Sequence, residues 1–167
     1  MPLGKMIVLH VELAEDESII NQYISHHANV WLEVISDLKD RPIGRMRIYN
    51  LKNQLTMLLE VSESFNLDDG IHIQPPTPKV AEWPKLMATF NKKLDSGEHD
   101  AWTPMNQVYD TEDYSLFRET KNSLSSNKMI VLHVELAEDE SIINQYISHH
   151  ANVWPEVISD LKDRPIG

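Results

Sequence analysis

The sequence contains no cysteine, and this absence excludes several kinds of chemistry at once. The chain can form no disulfide, no thiolate nucleophile and no zinc site built on cysteines. A run of about 18 apolar residues, which a membrane-spanning helix needs, is also missing, and no segment resembles a signal peptide. We therefore expect a soluble chain that is not exported, with a cytoplasmic location.

Clusters of lysine and arginine are missing too, and acidic residues dominate the charge. The net charge is −11 at pH 7, with 26 Asp and Glu against 15 Lys and Arg. An acidic surface repels the phosphates of nucleic acids and of anionic membranes. Three of the histidines, His10, His72 and His99, do not combine with paired carboxylates at a metal-ligand spacing. These patterns predict no nucleic-acid partner, no membrane partner and no metal site.

What the sequence does contain is a long repeat. Residues 5–44 return at 128–167 with 39 of 40 positions identical, the single difference being Leu32 against Pro155. Structural repeats keep mainly their packing positions, so identity at every other position indicates a recent duplication or an engineered chain. The two copies compete for one body, which begins at Arg45.

This arrangement predicts one domain with two possible first segments. We expect residues 1–117 to form the domain in its natural order, with 118–127 as a linker. Residues 128–167 can replace the first copy, so that 45–167 is a circular permutant of the same domain. The surplus copy is then either loosely attached or exchanged with another molecule by domain swapping.

The hydrophobic periodicity predicts four strands and two helices. The first strand, at 5–13, reads as buried on both faces, and one helix then runs to Leu38. The second helix places Val80, Trp83, Met87, Phe90 and Leu94 on one side. The other predicted strands are RMRIYNL (45–51), QLTMLLEV (54–61) with Lys52-Asn53 as the turn before it, and TPMNQVYD (103–110).

The order βαββαβ predicts an α+β fold, a ferredoxin-like plait whose helices cover one face of an antiparallel sheet. The other sheet face is bare in a monomer. Domains of this kind commonly hide that face by pairing, as dimeric α+β barrels do, so we expect a homodimer.

One face of the first helix carries candidate chemistry. Tyr23, His27 and Trp31 are each four residues apart and therefore share a helical face. A phenol, an imidazole and an indole in a row are suited to binding a sugar, with the indole against apolar C–H faces. The alternative is the core stripe of an amphipathic helix with a satisfied histidine. The neighbouring His26 and His149 are predicted to face solvent.

The second copy contains the intact pattern Y-x-x-x-H-x-x-x-W-P-E. Through this pattern, and through further matching residues that follow in the same order, the chain resembles the L-rhamnose mutarotase family. These are Tyr146, His150, Trp154, Pro155 and Glu156, then Ile48-Tyr49, then Glu82, Trp83 and Met87, then Trp102, Met105, Val108 and Tyr109. The resemblance implies a cofactor-free, dimeric ferredoxin-like enzyme that interconverts the α and β anomers of a deoxysugar.

The resemblance also implies roles for individual residues. The catalytic histidine falls on His27 or His150 and the tyrosine on Tyr23 or Tyr146, while the sugar contacts Trp83. The substrate-binding set implied in this way is Trp31, Trp154, Trp83, Tyr49 and Met46. A histidine titrates near neutrality, so it can exchange protons with the anomeric hydroxyl and the ring oxygen without a metal.

Two positions depart from the family pattern. Pro84 follows Trp83 where a second tryptophan is usual, and Met46 stands where rhamnose-specific members tend to have a tyrosine. Both lie in the implied sugar pocket, so L-fucose or another 6-deoxysugar fits as well as L-rhamnose. A monooxygenase or haem-degrading dimeric barrel shares the plait, although the Trp-Pro-Glu signature speaks against it. A swapped assembly with incidental catalysis is the other alternative.

The single difference between the copies suggests a hypothesis about shape. A proline inside a helix removes a hydrogen bond and costs roughly 3 kcal/mol. If Pro155 kinks the helix as the family requires, the second copy is the more native-like segment. Chain connectivity favours the first copy instead, since it needs no new linker.

Overall fold

The computed structural model describes residues 4–111 and 129–164. The chain divides into two compact units, Met1–Met105 and Asn106–Gly167. The predicted linker, 118–127, lies outside the described residues. The first unit contains the strands β1 (Lys5–Glu12), β2 (Ile43–Leu51), β3 (Gln54–Val61) and β4 (Thr103–Pro104), and the helices α1 (Glu17–Ala28), α2 (Leu32–Lys39) and α3 (Pro78–Ala88), with a 3-10 turn at Leu67–Asp69.

The four strands form one antiparallel sheet in the order β2-β3-β1-β4. β1 pairs with β3 along its whole length, from Lys5 opposite Val61 to Glu12 opposite Gln54. The hairpin between β2 and β3 turns at Lys52, whose φ of 54° lies in the left-handed region. An α+β fold with an antiparallel sheet is thereby confirmed, and β3 has the bounds that the sequence predicts.

β1 is buried on one face only, and the prediction that both faces are buried is wrong. Leu9, Val11 and Leu13 are at most 1% exposed, whereas Met6 is 44% exposed. Successive strand residues point to opposite sides of the sheet. The helices cover one of those sides, and that side carries the buried residues.

The last strand is much shorter than the predicted 103–110. Only Thr103–Pro104 pairs with β1, and one further bond joins the Met105 amide to the Val8 carbonyl at 2.8 Å. Pro104 has no amide hydrogen to donate. Met105 and Val108 are 50% and 39% exposed, so little apolar burial holds the segment on the sheet.

The single helix predicted to run to Leu38 is in fact two helices. α1 ends at Ala28, and the backbone and side-chain amides of Asn29 donate to the carbonyls of His26 and Ser25, both at 3.1 Å. Trp31 is extended, with φ −61° and ψ 140°, and α2 begins at the next residue. The chain therefore changes direction before Leu32, without any proline.

The second unit repeats this break with proline present. Its helices are α4 (Glu140–Ala151) and α5 (Pro155–Lys162), and Trp154 has φ −63° and ψ 137°. Pro155 is the first helical residue, a position whose amide has no acceptor within its helix. The hypothesis of a costly kink inside a helix is therefore wrong, and Leu32 and Pro155 occupy equivalent backbone positions.

The first copy, not the second, supplies the strand of the sheet. Lys5–Glu12 pairs on both sides, whereas none of residues 129–137 is assigned to a strand in the part of the chain that the structure describes. Ile130 and Leu132 are 70% and 88% exposed. The preference for the second copy as the native-like segment is not supported, and the argument from connectivity agrees with the structure.

The core of the first unit lies between the sheet and the helices. Val80, Trp83, Met87 and Phe90 are buried as predicted, but Leu94 is 41% exposed because α3 has already ended at Ala88. The main cluster comprises Val11, Leu13, Tyr23, Val34, Leu55, Trp83, Met87 and Phe90. Within the described ranges, no helix has the length and apolar character that crossing a membrane requires.

Candidate functional site

The centre of the candidate site is a stacked tyrosine and histidine on α1. The rings of Tyr23 and His27 lie 4.2 Å apart between centroids and 28° from parallel. Tyr23 is only 3% exposed, while His27 is half-buried and reaches the edge of the core. The spacing of four residues brings the two rings together because side chains at i and i+4 meet on one helical face.

A backbone hydrogen bond fixes the tautomer of His27. Its Nδ1 lies 3.1 Å from the Tyr23 carbonyl oxygen, which can only accept, so Nδ1 carries the hydrogen. Neutral His27 therefore has an unprotonated Nε2. Burial lowers the pKa of His27, and the nearby His26 lowers it further, against the opposing effect of the bond to Tyr23. Near neutral pH the ring is held as a neutral base.

The phenol of Tyr23 is held in its protonated form. Burial raises the pKa of Tyr23 above its ordinary value, because the phenolate would lose its hydration in the core. The site thus combines a hydroxyl that keeps its proton with an imidazole that can take one. The imidazole is therefore the member of the pair that can exchange protons near neutral pH, and the phenol stacks on it.

Two tryptophans extend this pair into a wall of aromatic rings. Trp83 of α3 contacts His27 edge to face at 5.5 Å and Trp31 at 5.2 Å. Trp31 is not on α1 as predicted, but in the extended residue before α2. The Nζ of Lys79 lies 4.0 Å from the centre of the Trp31 ring, within range of a cation–π interaction. The structure therefore brings Tyr23, His27, Trp31 and Trp83 together.

His26 belongs to the same group, and the prediction that it faces solvent is wrong. Its ring is half-buried and lies 5.5 Å from Phe90 and 6.4 Å from Trp83. His26 is three residues after Tyr23, and residues three apart lie on the same face of a helix. Its duplicate His149 is exposed, so the surroundings, not the local sequence, decide its burial.

Two implied pocket residues lie elsewhere in the first unit. Met46 packs against a second cluster around Leu9, Met57 and Phe65. Tyr49 follows Ile48 on β2, and Ile48 packs on the helix side, so the alternation of the strand places Tyr49 on the opposite face. Neither side chain is among those that pack on the cluster around Tyr23 and Trp83.

The second copy reproduces the local geometry but not the surroundings. Tyr146 and His150 have ring centroids 4.2 Å apart, and His150 Nδ1 lies 3.0 Å from the Tyr146 carbonyl. Tyr109, also in the second unit, contacts His150 at 5.8 Å. Trp154 is 72% exposed, whereas Trp31 packs on Trp83. The stacked pair is thus a property of the helix, and the aromatic wall is a property of the first unit.

Within residues 4–111 and 129–164, the histidines, aspartates and glutamates form no group of three or more that could hold a metal ion.

Three comparisons show which known proteins the chain is similar to. The sequence profile of the family described as L-rhamnose mutarotase matches residues 6–111. A UPF0734 protein of Dictyostelium discoideum is 36% identical over 109 residues, covering 61% of this chain and 86% of its own length. A crystal structure of an L-rhamnose mutarotase from Formosa agariphila is 18% identical, with a TM-score of 0.46, and covers 64% of this chain and 97% of that one.

Proposed function

The chain belongs to the L-rhamnose mutarotase family, and from this premise we propose that it is a sugar mutarotase that interconverts the α and β anomers of a 6-deoxy-L-sugar. The observation that carries the proposal is the state of His27: a neutral imidazole whose Nδ1 donates to the Tyr23 carbonyl, which leaves Nε2 as a base beside an aromatic wall. L-Rhamnose is the first substrate to test, and L-fucose is the second.

The reaction needs two proton transfers. His27 Nε2 removes the proton of the anomeric hydroxyl as the bond between the anomeric carbon and the ring oxygen breaks. The imidazolium so formed returns a proton to the ring oxygen, while Tyr23, whose raised pKa keeps its phenol protonated, is proposed to hold the His27 ring by stacking. Rotation of the open aldehyde and reversal of both transfers close the ring on the other face. Atoms and charges balance without a cofactor or a metal.

Trp83 and Trp31 are the proposed walls of the sugar site. Indole rings match the apolar C–H faces and the methyl group of a 6-deoxysugar. Trp83 is buried and contacts His27 directly, so it backs the wall, and the half-buried His27 and Trp31 are the groups that a sugar can reach. Pro84, next to Trp83 on α3, remains the proposed determinant of which sugar is preferred, since Met46 packs in the second cluster.

We propose that the first copy builds the working site. His27 has Trp83 as a neighbour at 5.5 Å, and Trp31 contacts Trp83 as well. His150, Tyr146 and Trp154 have the same sequence context but lie in the second unit. They are the matched positions against which the first copy can be tested.

The test is saturation transfer in one-dimensional NMR between the α and β anomeric protons of L-rhamnose and of L-fucose. Enzymatic exchange is the rate above that of the sugar in buffer. His27→Gln is expected to lower the catalysed rate about a hundredfold or more, the usual worth of a positioned base. His150→Gln is expected to leave it unchanged. No exchange with either sugar would reject the proposed function, and loss only in His150→Gln would assign the site to the second copy.

The partner that we propose is a second copy of the chain. The sheet face opposite the helices carries Met6, which is 44% exposed, and Tyr49 by alternation. Pairing of two such faces buries apolar area that a monomer leaves in water. Light scattering coupled to size exclusion is expected to give twice the mass of 19.3 kDa, and a mass of one chain at all concentrations would reject it.

A further inference from the structure

Two polar side chains at the end of α2, Asp37 and Arg41, bind the loop before α3, and we call this pair the clamp. No pattern in the sequence predicts it. Asp37 is 9% exposed, and its carboxylate accepts hydrogen bonds from His72 Nδ1 at 2.8 Å and from the Ile73 amide at 3.3 Å. One turn later, Arg41 donates to the carbonyls of Gly70 at 2.7 Å and Ile71 at 3.2 Å. One side chain of α2 and one just after its end thus hold four successive residues of one loop.

The duplicated segment shows that the clamp depends on its partners. In the second unit the equivalent residues, Asp160 and Arg164, lie 3.5 Å from each other, with side chains 64% and 61% exposed. The same sequence on the same helix therefore makes a surface ion pair in one place and a loop clamp in the other. A surface pair of this kind contributes little to stability.

The clamped loop leads directly into the helix that carries the aromatic wall. Only residues 74–77, Gln-Pro-Pro-Thr, separate Ile73 from α3, and Pro78 follows at its first position. Prolines fix their own φ and restrict the preceding residue, so this connection is stiff. Thr77 Oγ1 then accepts from the Val80 amide and closes the start of the helix. The position of the loop consequently sets the position of α3.

The other end of α2 meets the same helix. Trp31, the residue before α2, packs on Trp83 and lies under Lys79, both of α3. The α2 segment therefore acts on α3 in two places: Trp31, just before α2, contacts Trp83, and the clamp at the end of α2 holds the loop that leads into α3. Loss of the clamp frees the loop before α3, and Trp83 is then positioned by Trp31 and by the packing of the core cluster alone.

We infer that Asp37 and Arg41 are positioning residues: by fixing the loop Gly70–Ile73 they hold Trp83 at the distance from His27 that sugar binding requires. This inference rests on the proposed function. Asp37 and Arg41 act through other residues and do not contact the sugar themselves. Small displacements of positioning groups are costly, since about 1 Å can lower a rate about a hundredfold.

The experiment compares matched substitutions in the two copies of the intact chain. Asp37→Ala is expected to raise the KM for the sugar about tenfold, with a smaller change in kcat, because the wall moves while His27 and Tyr23 stay on α1. Asp37→Asn is expected to restore most of the affinity, since an amide can accept from Ile73 and donate to the other tautomer of His72. Asp160→Ala is expected to change neither constant.

A second readout does not depend on catalysis. The indole N–H signals of Trp31 and Trp83 in a ¹⁵N-labelled protein are expected to shift in Asp37→Ala and to stay in place in Asp160→Ala. Should Asp37→Ala fail to fold, Arg41→Met and its match Arg164→Met carry the same comparison. Inactivity of the unsubstituted chain would reject the proposed function, while the indole signals would still decide whether the clamp positions the wall.

Three results would overturn the inference. The first is an active Asp37→Ala variant with an unchanged KM and unchanged indole signals. The second is an equal effect of Asp37→Ala and Asp160→Ala, which would indicate a general loss of stability. The third is a loss in Asp37→Asn as large as in Asp37→Ala, since hydrogen bonding would then not be what holds the loop.

Discussion

At the residue scale, the protonation of His27 controls the proposed chemistry. Burial is the main cause that lowers its pKa from the ordinary 6.5, and His26 adds to the shift. The base acts only when Nε2 is unprotonated, so activity is expected to be constant above pH 6.5 and to fall, as pH decreases, with a midpoint below that value. The measurement is kcat/KM for anomer exchange between pH 4.5 and about 8.

His26, the neighbour of His27, provides the control for this pH profile. Removing the charge of His26 in a His26→Gln variant is expected to move the midpoint upward, because a repulsion that disfavours the charged His27 is lost. The lowered pKa of folded His27 also has a consequence for stability. As pH falls below 6.5, His27 takes up a proton in the unfolded chain before it does so in the folded chain, so the free energy of unfolding is expected to decrease. A midpoint at or above 6.5 would contradict the assignment of His27 as the base.

The sequence predicts contacts between residues that are close along the chain, but it does not predict contacts between residues that are far apart along the chain. Tyr23 and His27 meet within one helix, so their spacing is sufficient to predict the stack. Contacts of His26 with Phe90, or of Asp37 with His72, join residues far apart in sequence. No local pattern encodes the partner in such pairs, and the exposed duplicates His149 and Asp160 show that the same local sequence leads elsewhere.

At the scale of elements, the break between α1 and α2 determines what a proline does. Leu32 is the first residue of α2, is 83% exposed and follows an extended residue. Proline fits that conformation and restricts the unfolded chain, so Leu32→Pro is expected to raise the free energy of unfolding by about 0.4–1 kcal/mol. Urea denaturation of the two chains measures the difference.

A proline three residues later is the matched control. The Ile35 amide donates to the Trp31 carbonyl at 3.1 Å, and Ile35→Pro would remove this bond from the helix. A loss of about 3 kcal/mol or more is expected. If Leu32→Pro were as destabilising as Ile35→Pro, the two-helix description of this segment would be wrong.

The sequence does contain a signal for the boundary between α1 and α2. Asparagine is frequent where helices end, and the residue before a proline avoids the helical region, so Asn152 and Trp154 together indicate a boundary. The continuous apolar spacing from Ile20 to Leu38 obscured that signal, because two helices in succession can preserve a period near 3.6. β3 was predicted to the residue because a tight turn and an apolar run bound it.

At the scale of the whole molecule, the order of strands follows from local patterns, whereas the choice between two identical segments does not. The predicted βαββαβ order agrees with the sheet order β2-β3-β1-β4. Which copy supplies β1 depends on connection lengths, since both offer the same side chains. Burial cannot distinguish the copies when only Leu32 and Pro155 differ.

The first unit contains the whole sheet and the whole aromatic wall, and this predicts that the rest of the chain is dispensable for both. A chain shortened to residues 1–117 is expected to unfold in a single cooperative transition and to retain anomer exchange within about twofold of the full chain. Circular dichroism during heating and NMR saturation transfer measure the two properties. The family profile, which matches residues 6–111, covers this same part of the chain.

The permuted chain, residues 45–167, tests the role of the second copy against that result. It lacks β1, α1 and α2 of the first copy but has an identical strand sequence and Tyr146, His150 and Trp154. If the second copy can take the place of the first, this chain also folds, and its activity then depends on His150 instead of His27. Because the new connection costs closure entropy, it is expected to be less stable than 1–117. An unfolded 45–167 beside a folded 1–117 would reject the idea that the two segments are interchangeable, and a folded 45–167 beside an unfolded 1–117 would mean that the second copy is the structural one after all.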